Sequence, residues 1–142
     1  MADTAAVSVE TNGYRNVVLR VTLQSDGTGI TRQKIYDATS AGSYGVLYAG
    51  ATYYPGLHTT VIGLDYDVQD MKCILEWDAT PTPGPLLNLG NAPEDFDWTR
   101  FGGIRVPSSL TGATGSILLS TTEQLVGATL SFILYLRKNV PA

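Results

Sequence analysis

The sequence predicts an all-β protein, an antiparallel β-sandwich of jelly-roll type with about eight strands. Three observations carry that prediction. Apolar residues recur with a period of two in several stretches, as strands half-buried on one face require. Runs rich in Gly and Pro punctuate those stretches. No segment keeps the 3.6-residue period of an amphipathic helix beyond a single turn. A chain of 142 residues is long enough to bury one core, so residues 14–142 are read as a single domain preceded by an N-terminal arm over 1–13.

In NVVLRVTLQ, Val17, Leu19, Val21 and Leu23 share one face, and Val18, Arg20, Thr22 and Gln24 share the other. The turn formers SDGTG follow. TRQKIYDAT is a weaker strand whose charges suit a sheet edge. From Thr60, the residues Ile62, Leu64, Tyr66 and Val68 point one way, while Val61, Gly63, Asp65 and Asp67 point the other. After a turn at Gln69-Asp70, Met71, Cys73, Leu75 and Trp77 line an apolar face. These two runs predict an antiparallel hairpin whose inner faces share one core. ATPTPGP then ends the strand, because proline neither donates to a ladder nor continues a helix. LLNL and FDWTRFGGI predict short strands, VPSSLTGATG a loop, SILLSTT a strand and EQLVG a turn. In the last run Leu130, Phe132, Leu134 and Leu136 alternate with Thr129, Ser131, Ile133, Tyr135 and Arg137. That strand is apolar on both faces over its middle, which places it centrally in its sheet.

Residues 38–57 break the alternation. Tyr44, Tyr48, Tyr53 and Tyr54 stand there among small residues, in a stretch long for a loop of a compact domain. Either the segment packs on its own domain as a small hairpin, or its tyrosines meet a subunit or partner, where such rings are enriched. These four tyrosines and Trp98 form the candidate interface.

Little in the sequence points to catalysis. The net charge of −4 argues against nucleic acid as a partner. The single cysteine, Cys73, allows no internal disulfide, and its place on an apolar face makes it inert. His58 is the only histidine and stands beside Pro55-Gly56 as a polar rim residue. No nucleophile elbow, phosphate loop, dinucleotide fingerprint or zinc-protease motif occurs. One His and one Cys exclude the usual zinc constellations. Asp65 with Asp67, and Glu94 with Asp95 and Asp97, read as exposed acids on solvent faces rather than as calcium ligands.

Two places bring acids and tryptophans together, LEWDAT around Trp77 and EDFDWTRF around Trp98. A glycosidase would need two carboxylates about 5–10 Å apart across a cleft, drawn here from Glu76, Asp78, Glu94, Asp95 and Asp97. Trp77, however, alternates inward with Leu75 and Cys73 as core. Trp98 is placed with one side of its strand exposed, opposite Phe96 and Phe101. The reading is therefore structural: no catalytic, metal or cofactor-binding residue is expected, and the chain is not an enzyme. The N-terminus lacks the pattern of a signal peptide, and no apolar run approaches the roughly 20 residues of a membrane helix. A soluble protein made in a cytoplasm, with no membrane partner, is expected.

Three segments, in order, carry a resemblance: NVVLRVTLQSDGTGIT, DMKCILEWDATP with DFDWTRFGGI, and TGATGSILLSTT with GATLSFILYLRKN. Together they resemble a group of small virion structural proteins that tailed bacteriophages encode near their capsid genes. The resemblance spans about residues 14–139 and omits the tyrosine-rich 38–57 segment, which looks like an insertion. It implies a head-surface decoration or cement protein, made in the host bacterial cytoplasm and located in the virion. Its partners would be the major capsid protein and further copies of itself, a homotrimer being favoured. It implies no catalytic residues. Other readings of the same sandwich are a tail- or fibre-associated component, a carbohydrate-binding module presenting Trp98 with Tyr53 and Tyr54, and a small glycan hydrolase using Glu76 or Asp97.

Overall fold

The structure, a computed structural model, describes residues 3–12, 16–37, 59–90, 93–107 and 109–138. Among these, ten strands form: β1 (Ala6–Asn12), β2 (Asn16–Gln24), β3 (Gln33–Tyr36), β4 (Thr59–Gln69), β5 (Lys72–Trp77), β6 (Gly84–Leu89), β7 (Pro93–Asp97), β8 (Ile104–Arg105), β9 (Ile117–Thr122) and β10 (Thr129–Lys138). One sheet runs β1-β2-β10-β4-β7, with β8 also on β4; the other runs β3-β9-β5-β6. Every pairing is antiparallel. Setting aside β1 and the two-residue β8, eight strands remain. Numbered in chain order, they lie first-eighth-third-sixth in one sheet and second-seventh-fourth-fifth in the other, which is the jelly-roll order. The two strands beyond the expected eight are thus an added edge and a short appendage.

The period-two readings of most strands hold, because each strand covers one side of a shared core. Val17, Leu19 and Val21 of β2 and Leu130, Phe132, Leu134 and Leu136 of β10 are buried against Ile35, Cys73, Leu75, Trp77, Ile117 and Leu119 of the facing sheet. β10 lies between β2 and β4, central as its two apolar faces required. β3 is an edge strand, as its charges suggested.

Three expectations are corrected. The runs around Leu64 and Leu75 do not form a hairpin: β4 and β5 lie in opposite sheets, joined by an arch. Both edges of β4 are taken by β10 and by β7 with β8, and both edges of β5 by β9 and β6. Their apolar faces therefore meet across the core instead of side by side. Asp70, in the left-handed region at φ 62, makes the sharp change of direction, and its carbonyl accepts the Leu125 N–H at 3.2 Å.

Second, the alternation along β4 fails at one residue. Tyr135 pairs with Gly63 but Leu136 pairs with Val61, so Ile62 is the extra residue of a bulge. Val61 turns into the core, fully buried, and Ile62 turns outward, half-buried.

Third, FDWTRFGGI is not continuous strand. β7 stops at Asp97, a 3-10 turn covers Thr99–Phe101, and β8 follows. The Asp97 carboxylate accepts the Thr99 N–H at 3.0 Å and the Thr99 hydroxyl at 2.7 Å, an Asx arrangement that competes with the sheet ladder. Gly102 and Gly103, at φ 78 and 81, then turn the chain back. A Cβ on Gly103 would stand 2.5 Å from Thr60 Cγ2 and 2.7 Å from the Val61 carbonyl oxygen. Gly103→Ala is therefore expected to cost about 1–3 kcal/mol or more. Urea unfolding of the two proteins measures this; equal midpoints would show that the turn has another conformation.

Residues 6–12, read as part of an arm, lie along β2 as an edge strand with a bulge at Glu10. Their start is latched to the β2–β3 loop. The Asp3 carboxylate accepts the Ser25 hydroxyl at 2.6 Å and the N–H groups of Asp26 and Gly29, each at 2.9 Å. Gln33 and Ala5 exchange two further bonds, at 2.8 and 2.9 Å. Desolvation, the largest single influence on Asp3, raises its pKa, but the hydrogen bonds together outweigh it and hold the group at about 2 instead of 3.8. A carboxyl depressed by folding stabilises above its unfolded pKa, and that contribution vanishes as pH falls through 3.8 toward 2. Asp3→Asn is thus expected to melt below wild type at pH 7, with the two melting temperatures converging toward pH 2. A constant gap across that range would contradict the latch.

Candidate functional site

The margin of the larger sheet carries the candidate residues that the structure describes. Among the described residues β7, PEDFD, pairs on one side only, and it is exposed at every position. Its acids, Glu94, Asp95 and Asp97, discourage another strand from adding to the free edge. Phe96 stands opposite Leu64 in register, so it lies on the core side of the sheet, yet the margin leaves it 40% exposed.

Phe96 belongs to a ladder of rings. Its centroid is 6.2 Å from that of Tyr66 at an interplanar angle of 25°, and 5.2 Å from that of Trp98 at 9°. Such offset stacks contribute about 0.5–1.5 kcal/mol beyond the area they bury. The Trp98 backbone N–H donates to the Ile62 carbonyl at 2.9 Å, and the half-buried indole packs on the core. Phe101 follows at the tip of the 3-10 turn, 83% exposed. The expectation that Phe96 and Phe101 oppose Trp98 is corrected here. Residues two apart share a strand face, so Phe96 stacks on Trp98, and the turn carries Phe101 outward alone.

The same end of the sandwich contains the described borders of the 38–57 segment. Tyr36 pairs with Ile117, and Thr60 pairs with Arg105, beside the connection that holds Trp98 and Phe101. Tyr44, Tyr48, Tyr53 and Tyr54 themselves lie outside the described residues, as does His58. Of the candidate interface, Trp98 alone is placed.

The acids around Trp77 serve the fold. Trp77 is buried. Glu76 projects from the outer face of β5 to Arg32, 3.3 Å away. Asp78 lies 3.7 Å from the Lys34 ammonium and accepts the Thr114 N–H through its carbonyl at 3.0 Å. Glu76 and Asp97 occupy the outer faces of opposite sheets, separated by the full core, about 10 Å between sheets. They do not face each other across a cleft. Burial pushes the Cys73 thiol up to about 12, far from the thiolate a nucleophile requires. Among the described residues no group of three His, Cys, Asp or Glu is arranged to hold a metal ion, and no helix is long and apolar enough to cross a membrane.

Sequence reasoning did not single out two features. The FDW spacing did carry the signal for the ring ladder, since residues 96 and 98 must share a face. Exposed Leu125 and Val126, 62% and 82% accessible at the tip of the β9–β10 turn, gave no such signal, because an apolar pair in a turn reads like the end of a strand. No protein-family model, curated protein or solved structure matches the chain, so the functional reading rests on its own residues.

Proposed function

We propose that this chain is a virion structural protein of a tailed bacteriophage, a capsid decoration protein that binds the head surface as a symmetric oligomer, most simply a trimer. The observation that supports it best is where the apolar side chains are exposed. They stand at an edge strand and at loop tips, as Phe96, Phe101, Leu125 and Val126, on a rigid jelly roll, which is a fold used by capsid and lectin domains. Protruding rings on a stiff frame suit docking onto another protein surface, where aromatic anchors carry most of the binding energy. Four strands within the three segments of the resemblance, β2, β5, β9 and β10, also supply much of the core.

The end bearing Trp98 and Phe101, next to the borders of the tyrosine-rich segment, is the surface assigned to the major capsid protein. Each such contact is small. Repetition over a symmetric lattice, with an oligomer engaging several sites at once, multiplies modest affinities into stable attachment. In this reading the protein catalyses nothing and needs no cofactor. The test is add-back: heads from a phage lacking the gene are mixed with purified protein, and bound copies are counted. Saturation at a fixed ratio to the capsid lattice supports decoration, and failure to bind heads at any concentration overturns it.

A further inference from the structure

The outer face of the larger sheet carries a second feature, next to the end assigned to the capsid. Across β10, β4 and β7, Tyr135, Gly63 and Asp97 stand in one row, pairing in register and pointing to the same side. Gly63 lets the row sink. A Cβ there would meet the Phe96 carbonyl oxygen at 3.1 Å and Tyr135 Cδ2 at 3.3 Å, so the Tyr135 ring leans over the bare backbone of the glycine. Its hydroxyl donates to Asp65 Oδ2 at 2.9 Å, which pins the far end of the ring. A ring seated on the sheet and tethered at its tip presents its remaining face outward. Beside it is a hollow of about 270 Å³, whose lining includes Ile62, Asp65, Phe96, Asp97, Thr99 and Tyr135.

We propose that this hollow is a carbohydrate site for a neutral pyranose unit, with Tyr135 as the platform and Asp65, Asp97 and Thr99 as partners of its hydroxyl groups. The size fits, lying just under the roughly 300–1,000 Å³ of pockets for drug-sized ligands. The chemistry fits as well. A pyranose offers an apolar C–H face to an aromatic ring, and hydroxyl donors that form short, strong bonds to carboxylates. Asp97 is already oriented by two bonds from Thr99 to its Oδ1, so its geometry is set before a ligand arrives, which lowers the ordering cost of binding. The sign of the charge selects the ligand. Asp67 and Asp95 lie on the same outward face as Asp65 and Asp97, and these four acids outnumber the cations around them: Arg100, whose charge acts on Asp97, Arg137, two residues beyond Tyr135 on β10, and Arg20, which is tied to Glu10 at 3.2 Å. Uronic acids, sialic acids and phosphates are repelled; neutral hexoses and N-acetylhexosamines are not. The site does not rest on the decoration reading, because every observation behind it belongs to the isolated chain.

The test is an amide-resolved NMR titration of the full chain with the methyl glycosides of glucose, galactose, mannose and N-acetylglucosamine, with glucuronate and Ca²⁺ as comparisons. The expected result is saturable shifts for at least one neutral glycoside, confined to residues 62–65, 96–99 and 133–135, with a dissociation constant on the order of millimolar. Tyr135→Ala and Asp97→Ala should each weaken that binding by about tenfold or more. Asp97 is exposed and its substitution leaves the core intact, so it decides the matter even if the Tyr135 variant unfolds. The proposal is overturned if no neutral glycoside saturates the site by about 50 mM, well beyond millimolar affinity. It is equally overturned if Asp97→Ala binds like wild type, if glucuronate binds as tightly as the neutral sugars, or if Ca²⁺ alone shifts those amides. Because the readout uses isolated protein, its failure leaves the particle experiments untouched, and theirs leaves it untouched.

Discussion

Trp77→Ala is expected to lower the unfolding free energy by about 3–5 kcal/mol, the usual cost of removing a large aromatic side chain from a core. Trp77 heads the largest fully buried side chains, at 1% exposure. It ends β5 between Ile117 of β9 and Gly84 of β6, so its neighbours are held by two ladders and cannot collapse into the space it leaves. Domains of this kind are stable by about 5–15 kcal/mol, and the substitution removes a large part of that. Trp77→Phe, which keeps a ring, should cost distinctly less. Urea unfolding monitored by far-ultraviolet circular dichroism measures both. A loss below about 1 kcal/mol, typical of a partly exposed site, would mean that Trp77 is a surface platform and that the LEWDAT acids need a functional explanation after all.

Phe101→Ala should behave in the opposite way. The side chain is 83% exposed, and the 3-10 turn beneath it is held by backbone and Asp97 bonds rather than by the ring. Its removal should change the stability of the free protein by no more than about 0.5 kcal/mol. On decoration-free heads the same change should weaken binding by about 2 kcal/mol per contact, roughly thirtyfold, and by more where several subunits bind together. Binding isotherms on such heads provide the measurement. Unaltered affinity would move the contact to another surface, the Leu125-Val126 tip being the next to test.

The sheet content and the core were legible because period-two alternation is a direct consequence of one buried face. β2, β5 and β10 could be read residue by residue, and the central place of β10 followed from Ile133 between Phe132 and Leu134. What escaped were events that alternation does not encode. The bulge at Ile62 depends on the β10 register, and it reverses Val61 without any local mark. The arch at Asp70 resembles a hairpin in sequence, since both join two apolar-faced strands through a short turn; only the occupancy of the neighbouring edges tells them apart. For the candidate site, Trp98 was legible as a ring on a half-exposed strand, but its stacking on Phe96 was missed although the two-residue spacing carried the signal. The Tyr135–Gly63–Asp97 row joins three strands far apart in the chain, and no reading along the sequence brings them together.

The central claim is that this jelly roll is a repeated component of a phage particle, and its most direct test is a count. On the proposal that a phage encodes the chain, gradient-purified particles of that phage are digested, and the chain's peptides are quantified by mass spectrometry against those of the major capsid protein. The account predicts copies in a fixed, near-stoichiometric ratio to the capsid lattice, on the order of hundreds per head, as symmetric decoration demands. A handful of copies would place the protein in a tail or fibre instead. Absence from the particles would contradict the claim outright.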